Sequence, residues 1–415
     1  MSGEVDVAIV GAGPAGCATA ITLARTGARV LLVDRARFPR DKCCGDGLTT
    51  AAVRRLDALG LDPGDVASFR PARELAVRSP SGRTVLLPLA PGPGVFAAVA
   101  RRRDLDAALV ALARRSGAKV LEATRCVGVT AAPDGTVDVA FEDGGGARAP
   151  FVVAADGAWS PIRRMLTADG PSPRPDNPDV RQPPWIAFRA YATGARPAAA
   201  ERLWVWFQAD LLPGYAWSFP LADGTVNIGI CVPRRAGSAL ASLWAATLAS
   251  PFLTSLVGPD ALLADPARAW PIPTGIDRAA LSRLGGRVLF VGDAAGAADP
   301  FTGEGVEQAL ASGTLAARAI AGTPTSPDTA AARYTEGVRR SLGRDHRVSR
   351  WCRGLFATPL GARGALRVLD GSDLLRRNVA RWLFGDYRRA IAAHPREWAA
   401  LVRRSPGAFA DPDSA

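Results

Sequence analysis

"VDVAIVGAGPAGCATAITLARTGARVLLVD", residues 5–34, decides the fold of this chain. Its opening apolar run is typical of a buried parallel strand, and a G-x-G-x-x-G turn follows, formed by Gly11, Gly13 and Gly16. A helical segment and a second apolar strand come next, and that strand ends at Asp34. The glycines allow the backbone to approach a pyrophosphate at the helix N-terminus, and the carboxylate is placed to bind a ribose hydroxyl. The stretch therefore predicts a Rossmann-type, dinucleotide-binding domain.

The composition of the whole chain is that of a globular protein with several domains. Its 415 residues, of which 48% are hydrophobic, allow two or three domains with a large core. The net charge of +12 favours acidic lipid or phosphate surfaces, but no lysine run or nucleic-acid motif accompanies it, so no nucleic-acid partner is expected. Six cysteines in a chain of this size do not form a disulfide framework, and Glu4 and Asp6 stand where a signal peptide would be basic. We therefore expect a cytoplasmic protein.

One uncharged segment, residues 236–259, is long enough to cross a bilayer. It is rich in alanine, serine and threonine, and Pro251 interrupts it near the middle. These features favour two short packed helices over a membrane span.

Three further segments indicate which dinucleotide is bound. A helix of apolar period and a strand occupy 101–120, and an apolar strand in 151–164 ends at Asp156-Gly157. In 287–313 a strand leads to Gly292-Asp293 and then to a glycine-rich loop and a helix. In this order the segments resemble the FAD-binding set of the flavoprotein monooxygenase and reductase superfamily.

That resemblance implies FAD and names the residues that would bind it. The carboxylate of Asp293 would hold the ribityl chain, and Arg102, four residues before Asp106, would lie near the cofactor phosphates. The expected cofactor-binding residues are Gly11, Gly13, Ala15, Gly16, Asp34, Arg35, Cys44, Gly45, Arg102, Asp156, Gly157, Gly292, Asp293, Pro300, Gly303 and Gly305.

Strand patterns between these segments predict a second domain. Residues 74–89 alternate around a Ser-Gly turn, as in a β-hairpin, and β-rich runs fill 185–232. We expect an α/β protein: a Rossmann-type FAD-binding domain, an inserted antiparallel β-sheet domain for substrate, and a helical C-terminal region. The predicted boundaries are 1–73, 100–165 and 280–324 for the FAD-binding domain, 74–99 and 166–279 for the substrate domain, and 325–415 for the helical region.

Three motifs together point to one family within this superfamily. They are "FPRDKCCGDGLTTAAVRRLDALG" (38–60), "LPGYAWSFP" (212–220) and "DPFTGEGVEQALASG" (299–313). Jointly they resemble the geranylgeranyl reductase family, whose members use reduced FAD to hydrogenate isolated double bonds of polyprenyl chains. The resemblance covers at least residues 1–320 and implies an isoprenoid substrate such as a geranylgeranyl lipid, a menaquinone tail or a terpenoid.

Reduction of an unactivated alkene needs a hydride at one carbon and a proton at the other. Cys44 stands where the family cysteine lies close to the flavin ring, and a thiol is protonated at neutral pH. The hydroxyl of Tyr215 is the alternative proton source. Residues at spacing two on a strand face the same side, so Trp217 and Phe219 are expected to line an apolar substrate channel beside Tyr215.

Several alternatives stay open on the sequence alone. An FAD-dependent aromatic monooxygenase shares the FAD motifs, a flavin-dependent halogenase has a similar W-x-W-x-I-P motif, and a non-catalytic flavin or lipid carrier belongs to another class. The electron donor would be NAD(P)H or a protein reductant, and no metal-ligand spacing exists. The basic C-terminal helices carry Trp351, Phe356, Trp382, Leu383 and Phe384, which predicts peripheral contact with the inner face of a membrane. Helices packed on the body of the protein with a solvated basic face are the alternative.

Overall fold

The structure is a computed structural model, and it describes residues 4–89, 93–168, 182–393 and 406–409. The strands in this part are β1 (Val7–Val10), β2 (Val30–Val33), β3 (Gly47–Leu48), β4 (Arg70–Pro71), β5 (Glu74–Arg78), β6 (Thr84–Pro88), β7 (Ala98–Val99), β8 (Lys119–Leu121), β9 (Cys126–Ala131), β10 (Val137–Phe141), β11 (Gly146–Ala149), β12 (Phe151–Ala154), β13 (Trp185–Thr193), β14 (Leu203–Trp206), β15 (Tyr215–Pro220), β16 (Val226–Pro233), β17 (Leu262–Leu263), β18 (Arg268–Ile272), β19 (Ser282–Arg283) and β20 (Val288–Phe290). The helices are α1 (Pro14–Ala24), α2 (Thr50–Ala58), α3 (Arg102–Arg115), α4 (Pro161–Ala168), α5 (Pro197–Glu201), α6 (Leu240–Leu248), α7 (Pro251–Val257), α8 (Val306–Ala321), α9 (Pro327–Val338), α10 (Arg344–Leu355), α11 (Pro359–Asp370) and α12 (Asp373–Leu383).

A six-stranded sheet with the order β19-β20-β12-β1-β2-β8 forms the centre of the nucleotide-binding part. Its pairs are parallel except β19–β20, and strands β1, β2 and β12 are buried along their whole length. Helix α1 packs against α3 and α8, so the glycine turn at its N-terminus lies at the carboxyl end of β1. The predicted Rossmann-type α/β fold is confirmed.

A larger sheet with the order β17-β13-β16-β15-β14-β5-β6, to which β18 adds by pairing with β13, lies beside it. The predicted hairpin in 74–89 is confirmed as the antiparallel pair β5–β6. Not every pair is antiparallel, because β14 pairs with β5 in parallel. These two strands come from segments far apart in the chain, and a long connection permits parallel pairing. The domain boundaries given above stay a prediction.

The uncharged segment 236–259 contains the short helices α6 and α7, as predicted. In the described part of the chain no single helix has the length and apolar character needed to cross a membrane. Helices α6 and α7 meet that criterion only as a pair, and the pair is bent by 54°.

The C-terminal region is helical where it is described. Helices α9 and α10 join through a π-helical turn at Arg339–Gly343, and α11 and α12 follow and pack on β6. Residues 394–405 and 410–415 of this predicted region lie outside the described residues.

Candidate active site

One large cavity, of about 1720 Å³, extends from the carboxyl ends of the parallel strands to the C-terminal helices. Its wall contains every residue predicted above to bind cofactor or substrate except Gly16 and Pro300, which are buried behind it. The sequence motifs, although spread over the whole chain, therefore meet in one place. The individual roles of these residues stay predictions.

The glycine turn after β1 leaves room for a ligand because side chains are sterically excluded from it. At Gly11, where φ is +106°, a Cβ atom would lie 2.2 Å from the carbonyl oxygen of Ala155. At Gly16 it would lie 1.8 Å from the carbonyl oxygen of Gly11. A Cβ on Gly13 would meet only the tip of Arg40, at 3.8 Å, so the N-terminus of α1 is open to an anion.

Two carboxylates flank this turn. Asp34 is buried and accepts hydrogen bonds from the backbone N–H groups of Ala12 (2.7 Å) and Ala36 (2.8 Å), which fix its orientation. Asp156 accepts one from the N–H of Ile162 at 3.0 Å, while its Oδ1 is buried without a partner among the described residues. Burial raises the pKa of Asp156. An unpaired buried oxygen in the wall of a cavity fits a polar ligand such as the predicted FAD.

The arginine predicted to lie near the phosphates is held by an ion pair. Arg102 donates through Nε and Nη2 to the two carboxylate oxygens of Asp106, each at 2.8 Å, and both residues are buried. Arg40 contributes a second cation at 3.0 Å from the same carboxylate. The cluster of Arg102, Arg40 and Asp106 thus has two positive charges and one negative charge, which suits the binding of a pyrophosphate.

Asp293, which is predicted to bind the ribityl chain of FAD, forms an ion pair with Lys42. The sequence suggested no role for this lysine. Lys42 Nζ lies 2.9 Å from Asp293 Oδ2 and 5.4 Å from the centre of the Trp270 ring. The partners are 251 residues apart in sequence, so no local pattern could have indicated this pair. The sequence offered one indication that Lys42 is important, because it is one of only two lysines in the chain.

Replacing Asp293 by alanine should lower flavin occupancy, because it removes a charged hydrogen-bond acceptor from the cavity wall. Hydrogen bonds to charged groups contribute about 1.5–3 kcal/mol, which corresponds to roughly a 10- to 150-fold weaker dissociation constant. Titration of the protein, freed of flavin, with FAD measures this. Asp293→Asn, which keeps an acceptor oxygen, should lose less, and equal affinities in all three proteins would refute the assignment.

Cys44 and Cys43 differ sharply in their surroundings. The backbone N–H of Asp46 donates to Cys44 Sγ at 3.4 Å, and no acceptor for the Cys44 thiol exists among the described residues. Burial raises the pKa of Cys44, so the thiol stays protonated at neutral pH. The thiol of Cys43 instead donates to the carbonyl oxygen of Arg268 at 3.2 Å. Of these two cysteines, Cys44 is therefore the one whose thiol proton has no acceptor among the described residues.

Asp46 lies between the two glycines of residues 43–47, the cysteine loop. It is the centre of a buried hydrogen-bond network that the sequence did not predict. Its carboxylate accepts from the Tyr191 hydroxyl at 2.7 Å, the Asn227 amide at 2.8 Å and the Arg102 N–H at 3.2 Å. Asn227 also donates to the carbonyl oxygen of Cys44 at 2.8 Å. The network ties the cysteine loop to β13 and β16 of the large sheet. The left-handed φ of Asp46, +63°, was not evident from the sequence.

Tyr215, Trp217 and Phe219 line the cavity from one face of β15, as their spacing predicted. The Tyr215 hydroxyl donates to the carbonyl oxygen of Thr302, and burial raises its pKa well above the ordinary value. Its proton is therefore both engaged and weakly acidic, which favours Cys44 as the donor.

The two other aromatic rings of β15 explain the glycines of the cysteine loop. A Cβ on Gly45 would lie 3.3 Å from Trp217 Nε1, and one on Gly47 would lie 3.1 Å from the Phe219 ring. A Cβ on Gly229 of β16 would come within 2.1 Å of the Trp217 ring. These glycines make room for the two aromatic side chains.

The far half of the cavity is apolar. Strands β5, β6 and β14 form one side, and helices α11 and α12 the other, with Phe301 and Phe356 between them. Of the five hydrophobic residues predicted to contact a membrane, Phe356, Trp382, Leu383 and Phe384 line this cavity and are half-buried. Only Trp351 of the five is exposed, and the other four line the groove between the helices and the sheet. The predicted membrane contact stays a prediction.

Comparison with known proteins gives a consistent result. The family model described as an FAD binding domain matches residues 4–325. The chain is 37% identical, over 76% of its length and 76% of the relative, to menaquinone reductase of Mycolicibacterium smegmatis. It is 26% identical, over 90% of its length and 92% of the relative, to digeranylgeranylglycerophospholipid reductase 2 of Methanopyrus kandleri. The structure resembles the geranylgeranyl bacteriochlorophyll reductase-like protein of Thermoplasma acidophilum with a TM-score of 0.78, at 20% identity over 96% of this chain and 99% of the other.

Proposed function

The chain belongs to the geranylgeranyl reductase family of FAD-dependent oxidoreductases, and we propose from that premise that it reduces isolated carbon–carbon double bonds of an isoprenoid chain. Bound FAD supplies the hydride once it has been reduced. The protein's own residues hold the cofactor, align the alkene and provide a proton to the second carbon.

One observation carries this proposal. Cys44, whose raised pKa keeps its thiol protonated at neutral pH, lines the same cavity as a groove of aromatic and aliphatic side chains. An isoprenoid chain has no polar groups along its length, so it binds by burial of apolar surface. The volume of about 1720 Å³ exceeds that of an ordinary ligand pocket and leaves space for a cofactor and a long chain together.

We propose a polyprenyl tail, such as that of a menaquinone, or a geranylgeranyl lipid as the substrate, since the relatives named above carry those names. Mass spectrometry of lipid extracts from cells with and without the gene tests this choice. A shift of two hydrogens per reduced bond should appear in one isoprenoid class only when the gene is present. Identical lipid profiles in the two extracts would argue against the proposal.

For the electron donor we propose NAD(P)H or a reduced protein that binds transiently. The G-x-G-x-x-G motif at Gly11–Gly16 is assigned to FAD, and the sequence holds no second copy for a nicotinamide. Anaerobic mixing of the oxidised protein with NADH, NADPH or a reduced ferredoxin separates the cases. Bleaching of the flavin absorbance identifies the donor.

We also propose that helices α10 and α11 rest on an anionic membrane surface. Trp351, Leu360 and Val368 are 71%, 78% and 65% exposed, and Val368 also lines the apolar half of the cavity. Exposed arginines accompany them on the same helices, namely Arg344, Arg347, Arg363 and Arg367. Apolar side chains next to basic ones favour the interface of a bilayer with acidic lipids, from which an isoprenoid would enter the cavity directly.

The double variant Trp351→Ser/Leu360→Ser should therefore sediment less with anionic liposomes than the wild-type protein. Leu262→Ser is the matched control, because Leu262 is equally exposed but lies on β17 at the other edge of the large sheet from β6. Binding of the wild type should weaken as salt is added and be slight with neutral liposomes. Equal and negligible pelleting of all three proteins would exclude this contact.

A further inference from the structure

A second, smaller cavity of about 150 Å³ lies behind the glycine-rich loop 299–305. Glu304 and Thr49 belong to the walls of both cavities, so the two spaces are neighbours at these residues. The volume is sufficient for several water molecules. Arg388 in its wall is exposed, so this end of the cavity lies at the protein surface while Glu304 lies at the active site.

The wall of this second cavity, the side cavity, consists mainly of polar and charged residues. Some of their buried nitrogen and oxygen atoms have no hydrogen-bond partner among the described residues. His346 is 1% exposed, and neither of its ring nitrogens has a partner in the described part of the chain. The same holds for Oε1 of the buried Gln308. Polar atoms so deeply buried are normally satisfied, and water in the cavity would satisfy them.

Glu304 is held at the boundary by its position before helix α8. One of its carboxylate oxygens accepts the backbone N–H of Glu307 at 2.9 Å, which fixes the side chain and caps the helix. Burial raises the pKa of Glu304 to about 7, and the charge of Glu307 adds to this effect. The carboxyl group therefore exchanges protons readily near neutral pH.

We propose that the side cavity is the route by which protons enter the active site, with Glu304 as the group that passes them into the main cavity. This inference rests on the proposed alkene reduction, in which every reduced bond consumes one proton. An isoprenoid that fills the apolar groove excludes water from that side, so the proton has to come from another direction.

Groups along this route supply the proton that each reduced bond consumes and are then protonated again. When one alkene carbon receives the hydride, the other takes the proton of the Cys44 thiol, so an S–H bond breaks and a C–H bond forms. The Cys44 thiolate regains a proton from the carboxylic acid of Glu304. The Glu304 carboxylate regains one from bulk solvent, conducted by water in the side cavity, so no hydroxide remains in the protein.

Several charged groups surround Glu304 and bear on its titration. Glu307 lies on α8 and is paired with Arg55 of α2 at 2.6 Å. Asp299 of the glycine-rich loop also lies in the wall of the side cavity and is paired with Arg389. The other titratable groups in the two walls near Glu304 are Asp345 and His346 on α10, Tyr387 and Arg388 after α12, and Cys44 and Tyr215 on the side of the main cavity. Burial lowers the pKa of His346, so it is neutral at pH 7 and does not oppose a proton on Glu304.

The test is Glu304→Gln, which keeps an acceptor for the Glu307 N–H and so preserves the helix cap. The first reduced bond uses the proton already on Cys44, so single-turnover anaerobic reoxidation should stay within about twofold of the wild type. Steady-state reduction of a polyprenyl substrate should fall by about tenfold or more, within the range of general acid catalysis. In the wild type, steady-state turnover should decline as the pH rises through about 7 because Glu304 loses its proton, and this decline should be absent in the variant.

Infrared spectroscopy provides a readout that does not depend on turnover. The oxidised holoprotein should show a carboxylic acid band that titrates near pH 7, and the band should be missing in Glu304→Gln. It should persist in Glu336→Gln, which alters a half-buried glutamate on α9 that is paired with Arg340, away from both cavities.

Normal steady-state turnover in Glu304→Gln, or an equal loss in the single-turnover rate, would overturn the inference. Should the wild-type protein reduce no isoprenoid at all, the proposed function fails. The infrared titration would then still show whether Glu304 takes up and releases a proton near neutral pH.

Discussion

Cys44→Ser is expected to bind FAD and accept electrons normally, yet to slow the anaerobic, substrate-dependent reoxidation of the reduced protein by about tenfold or more. The reason is that a serine hydroxyl is a far weaker acid than a thiol of the same shape, and general acid catalysis contributes roughly 10²–10⁴ to a rate. The backbone N–H of Asp46 can still donate to the new oxygen, so the loop should keep its conformation. Stopped-flow measurement of the flavin absorbance follows the reaction.

Two other variants serve as controls for this result. Cys43→Ser should react at nearly the wild-type rate, because Cys43 faces the carbonyl oxygen of Arg268. Tyr215→Phe should be milder than Cys44→Ser, since the Tyr215 proton is engaged by Thr302. A larger defect in Tyr215→Phe would make the tyrosine the proton donor, and an unaltered rate in Cys44→Ser would assign the cysteine a packing role.

Asp46→Ala is expected to destabilise the protein more than any other single change in the cysteine loop. It leaves the Tyr191 hydroxyl and the Asn227 amide without their shared acceptor, at a cost of about 1–3 kcal/mol for each buried donor. It also places alanine at a φ of +63°, which aspartate and asparagine tolerate better. Urea denaturation should therefore show a lower free energy of unfolding.

A double-mutant cycle isolates the network. Tyr191→Phe removes one of the donors, so its effect should be smaller when Asp46 is already alanine. Asp46→Asn, which keeps the backbone preference and one acceptor oxygen, should fall between the wild type and Asp46→Ala. Additive effects, or a loss below about 1 kcal/mol in Asp46→Ala, would show that the network contributes little.

Local patterns were sufficient to predict those parts of the molecule that short-range chemistry determines. The glycine turn at Gly11–Gly16, the β5–β6 hairpin and the common face of Tyr215, Trp217 and Phe219 all follow from spacing along one element. In each case backbone geometry alone relates the residues.

The rest of the candidate site depends on contacts between distant segments. Asp46 meets Tyr191 and Asn227 across 145 and 181 residues, so a sequence motif shows the aspartate but not its partners. Glu304 stood within a motif, but its importance comes from separating two cavities, which only the folded chain forms. The pattern of hydrophobic residues in α12 does not by itself distinguish a lipid surface from an internal groove, because both favour one apolar face of a helix.

The reaction of the chemically reduced protein with a polyprenyl substrate in the absence of oxygen decides between alkene reduction and oxygen chemistry. We expect the flavin to reoxidise without air when the substrate is added, and the product to gain two hydrogens per bond by mass spectrometry. Reoxidation that occurs only when oxygen is admitted, with an oxygen atom inserted into an aromatic substrate, would contradict alkene reduction and identify the protein as a monooxygenase.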